Sequence, residues 1–309
     1  MTALTRLDEW TVPADEIDHL NHMSTLFYGW RADAAAVRLL ETLGAGQEAL
    51  AAAGLTARIV DRLTLFRREQ MAGAPLTMAG AVVAVQPERL DLHVEMAAAA
   101  TGELAATFRL GVELQDLATR AAAAIPERWR DAAAAARIEP PARSQPRTLP
   151  LDRLGLDLRV DDFDRIGIAP HLRREITAEA CDPEGFLAPP PRPRIGAREG
   201  PYNQGIMDEV WGTVPGFVWP AVEMRTLNPR APRQGDVLET YTALLSVSHK
   251  IIHSGVWTFE ARSGALTSLV HQVNVFFNFA TRRTQDMPGE VRERLTRLVT
   301  PALAPHRPS

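Results

Sequence analysis

The sequence predicts an α+β chain built twice, each copy a helix followed by an antiparallel meander of strands. Three observations predict it. Residues 15–30 pass from a strand end through a polar turn into helical periodicity. Four segments of β character follow, separated by turn residues. The second half of the chain then repeats the first.

The turn holds a carboxylate (Asp18), two imidazoles (His19 and His22) and an amide (Asn21). From Met23 the pattern changes: Leu26, Phe27, Trp30, Val37 and Leu40 recur at helical spacing. Ser24 or Thr25 is placed to cap that helix. A carboxylate just ahead of a helix start lies near unsatisfied N–H groups and the positive end of the dipole. That arrangement suits a reaction that develops an oxyanion. Gly44-Ala-Gly46 ends the helix and Gly54 marks a second break. Strands are expected over 56–66, 76–86, 90–96 and 104–114, with turns at Gly73-Ala-Pro75, Pro87 and Thr101-Gly102. Pro126 opens a further helix. From Glu139 to Pro150 the chain is rich in Pro, Arg and Ser and reads as a linker.

Shifting by 162 positions superposes 223–299 on 61–137 without a gap. Gly235 falls on Gly73, Gly264 on Gly102 and Pro288 on Pro126, so the breaks coincide. Further upstream the shift becomes 164, and Asp182 falls on Asp18. The expected organisation is a first repeat over 1–137, a linker over 138–165 and a second repeat over 166–309. Pro189-Pro-Pro-Arg-Pro193 delays the second helix to about residue 195, and Gly200-Pro201 should break it.

A net charge of −4 argues against a nucleic-acid partner. Lys250 is the single lysine among many arginines, a coding bias rather than a functional signal. Cys181 is alone, so nothing demands an oxidising compartment. The N-terminus lacks the charged and apolar regions of a signal peptide, and no run is long enough to span a bilayer. A cytoplasmic protein with no membrane partner is expected.

The run Asp18-x-x-Asn21-His22-Met23 followed by Phe27-Tyr28-x-Trp30 resembles the "Asp-x-x-Gly-His-Met-Asn … Tyr" signature of hotdog-fold acyl-CoA thioesterases, the 4-hydroxybenzoyl-CoA thioesterase-like group. Asn21 replaces the usual Gly, and Ser24 the usual Asn. Asp182-Pro183-x-Gly185 is close to the "Asp-Pro-x-Gly" version of the same turn. The resemblance implies a double hotdog, two repeats in each of which a sheet wraps a central helix. It also implies hydrolysis of an acyl-CoA or acyl-carrier-protein thioester without metal or cofactor, and is compatible with homo-oligomers of such pseudo-dimers.

Thioester hydrolysis needs a carboxylate to attack or to activate water, and N–H donors for the carbonyl oxygen. Asp18 and the amides after it supply both, unless Asp18 only caps the turn. Asp182 is the second catalytic candidate, in poorer surroundings. Asn21, His22 and Met23 either shape the turn or bind substrate. Asp61 and Glu223, equivalent acids at the start of a strand in each repeat, either reach substrate or serve as ion-pair partners. Asp18, His19 and His22 are too few and too adjacent for a metal site. Cys181 reads as a buried thiol rather than a nucleophile. No Gly-x-Ser-x-Gly is present, and Gly44-x-Gly46 follows a helix, so neither a hydrolase elbow nor a dinucleotide fingerprint is expected. Arg67, Arg68, Arg230 and Arg233 lie near strand ends, where a solvated edge is the simpler reading than CoA phosphate binding.

Two other classes remain. One is a non-catalytic acyl-binding or assembly protein. The other is a hotdog enoyl-CoA hydratase, whose "Asp-x-Asn-Pro-x-His" needs His where Met23 stands.

Overall fold

The structure, a computed structural model, describes residues 4–151, 155–189, 193, 214 and 217–303. The chain divides into two compact units, the first ending at Gln145 and the second beginning at Pro146.

The first unit starts with strand β1 (Thr5–Thr11), then helix α1 (Thr25–Thr42) and the short α2 (Gln47–Ala52). Strands β2 (Leu55–Phe66), β3 (Pro75–Val85), β4 (Arg89–Ala98) and β5 (Leu104–Asp116) follow, and α3 (Glu127–Ala135) closes the unit. The order across the sheet is β1-β3-β4-β5-β2, antiparallel throughout. All four predicted strands are present, within two residues of the expected ends.

Alternation decides which face of the sheet meets α1. Leu90, Leu92, Val94 and Met96 of β4 join Phe108, Leu110 and Val112 of β5 in one core with Phe27, Tyr28, Leu39 and Leu40 of α1. The helix stripe differs from the expected one. Leu26 is 44% and Val37 37% exposed, whereas Ala32, Ala35 and Ala36 are buried. Small side chains let the helix lie close against the strands, so alanines share the buried face with Phe27, Tyr28, Leu39 and Leu40. Gly29 serves the same closeness: a Cβ there would stand 3.0 Å from the guanidinium carbon of Arg62, which reaches Asp33 of α1 at 2.7 Å.

The second unit contains α4 (Val160–Arg165), β6 (Leu172–Glu175), β7 (Phe217–Val218), β8 (Ala221–Leu227), β9 (Val237–Val247), β10 (Ile251–Glu260), β11 (Ala265–Val275), β12 (Phe277–Asn278), β13 (Arg283–Thr284) and α5 (Gly289–Arg297). Its main sheet runs β6-β9-β10-β11-β8, the order of the first unit. The helix expected from about residue 195, with its break at 200–201, lies outside the described residues.

Backbone detail recurs between the units. β3 and β9, and likewise β4 and β10, start and stop 162 positions apart. Arg120 and Arg282 both take positive φ, at 59° and 56°. Ile138 donates to the Val82 carbonyl at 2.9 Å, and Thr300 to that of Leu244 at 2.8 Å.

The segment expected as a linker is folded onto the sheets. Thr107 Oγ and the Arg67 guanidinium both donate to the Arg143 carbonyl, and the Arg143 guanidinium pairs with Glu95. Phe163 of α4 packs against Tyr241, Trp257 and Phe259 at ring distances of 4.8, 5.3 and 5.6 Å. Proline and arginine composition signals irregular backbone, but not whether its few apolar side chains find a core.

Candidate active site

The polar turn between β1 and α1 is closed by its own backbone. Asp18 N–H donates to the His22 carbonyl and Asn21 N–H to the Asp18 carbonyl, both at 2.9 Å. Asp18 Oδ1 accepts from Leu20 N–H at 2.9 Å, an Asx turn. Its Oδ2 has no hydrogen-bond partner among the described residues, so the carboxylate keeps one oxygen for chemistry. Ser24 is the N-cap of α1, accepting from Leu26 N–H at 3.4 Å.

Asn21 has φ +63°. Glycine enters that left-handed region freely, and Asn tolerates it better than other side chains. The departure from the family's Gly thus keeps the same backbone. Asn21→Val should destabilise the protein by about 1–2 kcal/mol, the penalty of the left-handed region, whereas Asn21→Gly should be nearly neutral. Thermal unfolding checks this; a stable Val variant beside a weakened Gly variant would assign the role to the side chain instead.

Two packing devices hold the turn. Glu16, fully buried, accepts from Arg31 of α1 at 2.5 Å. That guanidinium also lies 4.4 Å from the Trp10 ring centre and 5.3 Å from that of Trp30. On the other side, the loop after β2 meets the turn: Met23 N–H donates to the Gln70 carbonyl at 2.7 Å. Tyr28 Oη donates to the Arg68 carbonyl at 3.1 Å, and Gln70 Nε2 to the same oxygen at 3.2 Å. Burial pushes the Tyr28 phenol well above its ordinary range, opposed by a hydrogen bond from the Gln70 backbone and reinforced by the Asp18 charge.

His22 Nδ1 lies 3.6 Å from Asp18 Oδ1, and His22 Nε2 lies 3.8 Å from Glu69 Oε1. His19 and Asn21 are exposed. Met23 is buried in the core at 1% exposure. The amides of Asp18, Leu20, Asn21, Met23 and Ser24 are all engaged within the protein. Most donors expected from the turn itself are therefore taken, and in the first turn of α1 Leu26 N–H is taken by Ser24 Oγ and Phe27 N–H by the Ser24 carbonyl. Among the described residues no three His, Cys, Asp or Glu side chains are grouped to hold a metal ion.

Asp61 is reached by Arg89 at 3.2 Å, and Arg89 also holds Asp91 at 2.8 Å. Glu223, 1% exposed, accepts from the amides of Arg147, Thr148 and Leu149 at 3.1, 2.8 and 3.2 Å. These two equivalent acids have thus taken different partners. Arg68 pairs with Glu103, and Arg230 reaches Asp236 at 4.0 Å.

The turn around Asp182 copies the first in its backbone. Asp182 N–H donates to Phe186 at 2.8 Å, Gly185 N–H to Asp182 at 2.9 Å, and Leu187 N–H to Pro232 at 2.9 Å. Asp182 Oδ1 accepts from Phe186 N–H at 2.9 Å. Gly185 takes φ +80° where Asn21 takes +63°. Cys181, half-buried, directs its thiol to the Thr177 carbonyl at 3.4 Å.

Residues 12–133 match the thioesterase-like superfamily. The match spans most of the first unit. No curated protein matches the chain. Among solved structures the chain is similar to the 12:0-ACP thioesterase from Umbellularia californica, with 12% identity, TM-score 0.66, and coverage of 88% of this chain and 94% of that one. It is also similar to an acyl-ACP thioesterase from Bacteroides thetaiotaomicron, with 12% identity, TM-score 0.59, and coverage of 86% and 96%. At that identity the likeness shows a shared hotdog fold. Glu69, which lies across from His22, carries no motif of its own. Comparing Arg67-Arg-Glu-Gln70 with Pro229-Arg-Ala-Pro232 across the repeat is the signal that singles it out.

Proposed function

We propose that the chain is a double hotdog that hydrolyses an acyl-CoA or acyl-carrier-protein thioester, with Asp18 as general base or nucleophile. The observation that carries this reading is the Asp18 carboxylate, tied by Oδ1 to its own turn at 2.9 Å and uncommitted at Oδ2, ahead of a capped helix. As base, Asp18 takes a proton from water while the water oxygen bonds to the thioester carbon; the carbonyl oxygen gains negative charge. The positive end of the α1 dipole favours that charge. Collapse breaks the C–S bond and releases thiolate and acid. Met23, Asp61 and Glu223 hold the frame in this reading, and His22 serves the reaction. The matching strand ends, hydrogen bonds and turns of the two units support the duplication, with repeats over 1–137 and 166–309. The names of the similar structures, both acyl-ACP thioesterases, favour a carrier-protein thioester within the class.

The test is release of free thiol from short, medium, long and aromatic acyl-CoAs and from acyl-carrier protein. Turnover of one class is expected. No release from any thioester, with acyl-thioester binding retained, would establish the non-catalytic binder instead.

A further inference from the structure

The second turn keeps the backbone and the aspartate of the first but not the side chains around them. Phe186 stands where His22 stands, and Ala231 where Glu69 stands. The loops that carry these pairs are docked alike, through Met23 to Gln70 in the first unit and Leu187 to Pro232 in the second, at 2.7 and 2.9 Å. An imidazole and a carboxylate that face each other in one copy are therefore both replaced by apolar residues in the other. In that copy the Arg233 guanidinium lies 4.5 Å from the Phe186 ring centre. Asp182 Oδ1 accepts from Phe186 N–H, four residues on, and the position of His22 holds a phenyl ring instead of an imidazole.

In the first unit each His22 ring nitrogen faces oxygen. Nδ1 meets Asp18 Oδ1 at 3.6 Å and the Met23 carbonyl at 3.4 Å, and Nε2 meets Glu69 Oε1 at 3.8 Å. The His22 and Glu69 side chains are 12% and 27% exposed, so charge on one is felt by the other with limited screening. We infer that Glu69 is a positioning residue that holds His22 as the proton relay of Asp18, and that the chain has one working site, in the first unit. This rests on the thioesterase reading above.

The proton path balances. Asp18 takes the proton of the attacking water, the C–S bond breaks, His22 protonates the departing thiolate, and Asp18 returns its proton to His22. At the end of the cycle Asp18 is again a carboxylate and His22 again carries the proton it gave to sulfur. Glu69, half-buried opposite Nε2, offsets the ring's positive charge and favours an N–H directed at itself.

The experiment compares wild type, Glu69→Gln, His22→Gln, the double variant and Asp182→Asn on two thioesters of the same acid. One releases an alkyl thiol; the other releases an aromatic thiol that departs without a proton. Glu69→Gln should lower kcat on the alkyl thioester by about tenfold to a hundredfold at little change in KM, and much less on the aromatic one. His22→Gln should show the same leaving-group pattern, and the double variant should be no worse than His22→Gln alone. Asp182→Asn should match wild type. Equal losses on both thioesters, additive losses in the double variant, or a fall in Asp182→Asn as large as in Asp18→Asn would overturn the inference while hydrolysis by wild type stood. Absence of thiol release by wild type would overturn the thioesterase reading and this inference together.

Discussion

Asp18→Asn should lower kcat for thiol release by about a hundredfold to ten-thousandfold, the range a positioned acid–base group contributes. The substitution is nearly isosteric. The amide oxygen can still accept from Leu20 N–H, now at 2.9 Å from Oδ1, so the Asx turn and the cap of α1 remain. What disappears is a basic oxygen at Oδ2. KM should change little, because the lost interaction belongs to the transition state rather than to ground-state binding. An unchanged melting temperature beside the lost turnover would separate chemistry from folding. A variant that retains wild-type kcat would remove Asp18 from the reaction and leave it as a turn residue. Single turnover in isotopically labelled water tests the covalent form of the mechanism: label entering the Asp18 carboxylate marks a nucleophile.

The second large effect lies far from any chemistry. Glu223→Ala should destabilise the protein by about 3–5 kcal/mol, since hydrogen bonds to a charged group contribute about 1.5–3 kcal/mol each and their loss leaves buried donors unsatisfied. Three amides in succession, of Arg147, Thr148 and Leu149, converge on that carboxylate, and Leu149 is 1% exposed. Two residues along β8, Arg225 reinforces the same strap by donating to the Pro150 carbonyl at 2.5 Å. The strap therefore unpins when Glu223 is removed. A urea midpoint that falls while the slope of the transition is unchanged would report this loss. Glu223→Gln should be milder but still destabilising, because it keeps one acceptor oxygen and brings an NH2 group against amide donors. A midpoint equal to wild type in Glu223→Ala would show that water replaces the carboxylate at the strap.

Much of the fold was legible because it depends on short-range rules. Alternation placed the strands, glycines such as Gly73, Gly102, Gly235 and Gly264 marked the turns, and Ser24 marked the start of α1. The sequence similarity at a shift of 162 positions marks each break twice, so corresponding elements of the two halves are legible together. The catalytic candidate was legible for the same reason: Asp18 lies inside a contiguous motif, and the turn that exposes it is local.

Other assignments depended on partners distant in the chain. The acids Asp61 and Glu223 are equivalent in sequence, yet one meets Arg89 and the other three amides of the segment after Gln145. Nothing near either acid foretells that divergence. Glu69 is 47 positions from His22, and only the docking of the β2–β3 loop on the turn brings them within 3.8 Å. Ala32, Ala35 and Ala36 likewise take places on the buried face of α1 that Leu26 and Val37 were expected to fill, because close approach of helix and sheet favours small side chains at part of the contact.

By itself, then, the sequence determined the elements, their duplication and the aspartate at the head of the first helix. Each of these follows from residues close together in the chain. Tertiary structure alone decided which acids are consumed by the frame, which imidazole faces the aspartate, and which copy of the turn keeps its acid–base neighbours. Those outcomes depend on contacts between side chains far apart in sequence, and close packing and the need to satisfy buried charge select them only once the strands have assembled.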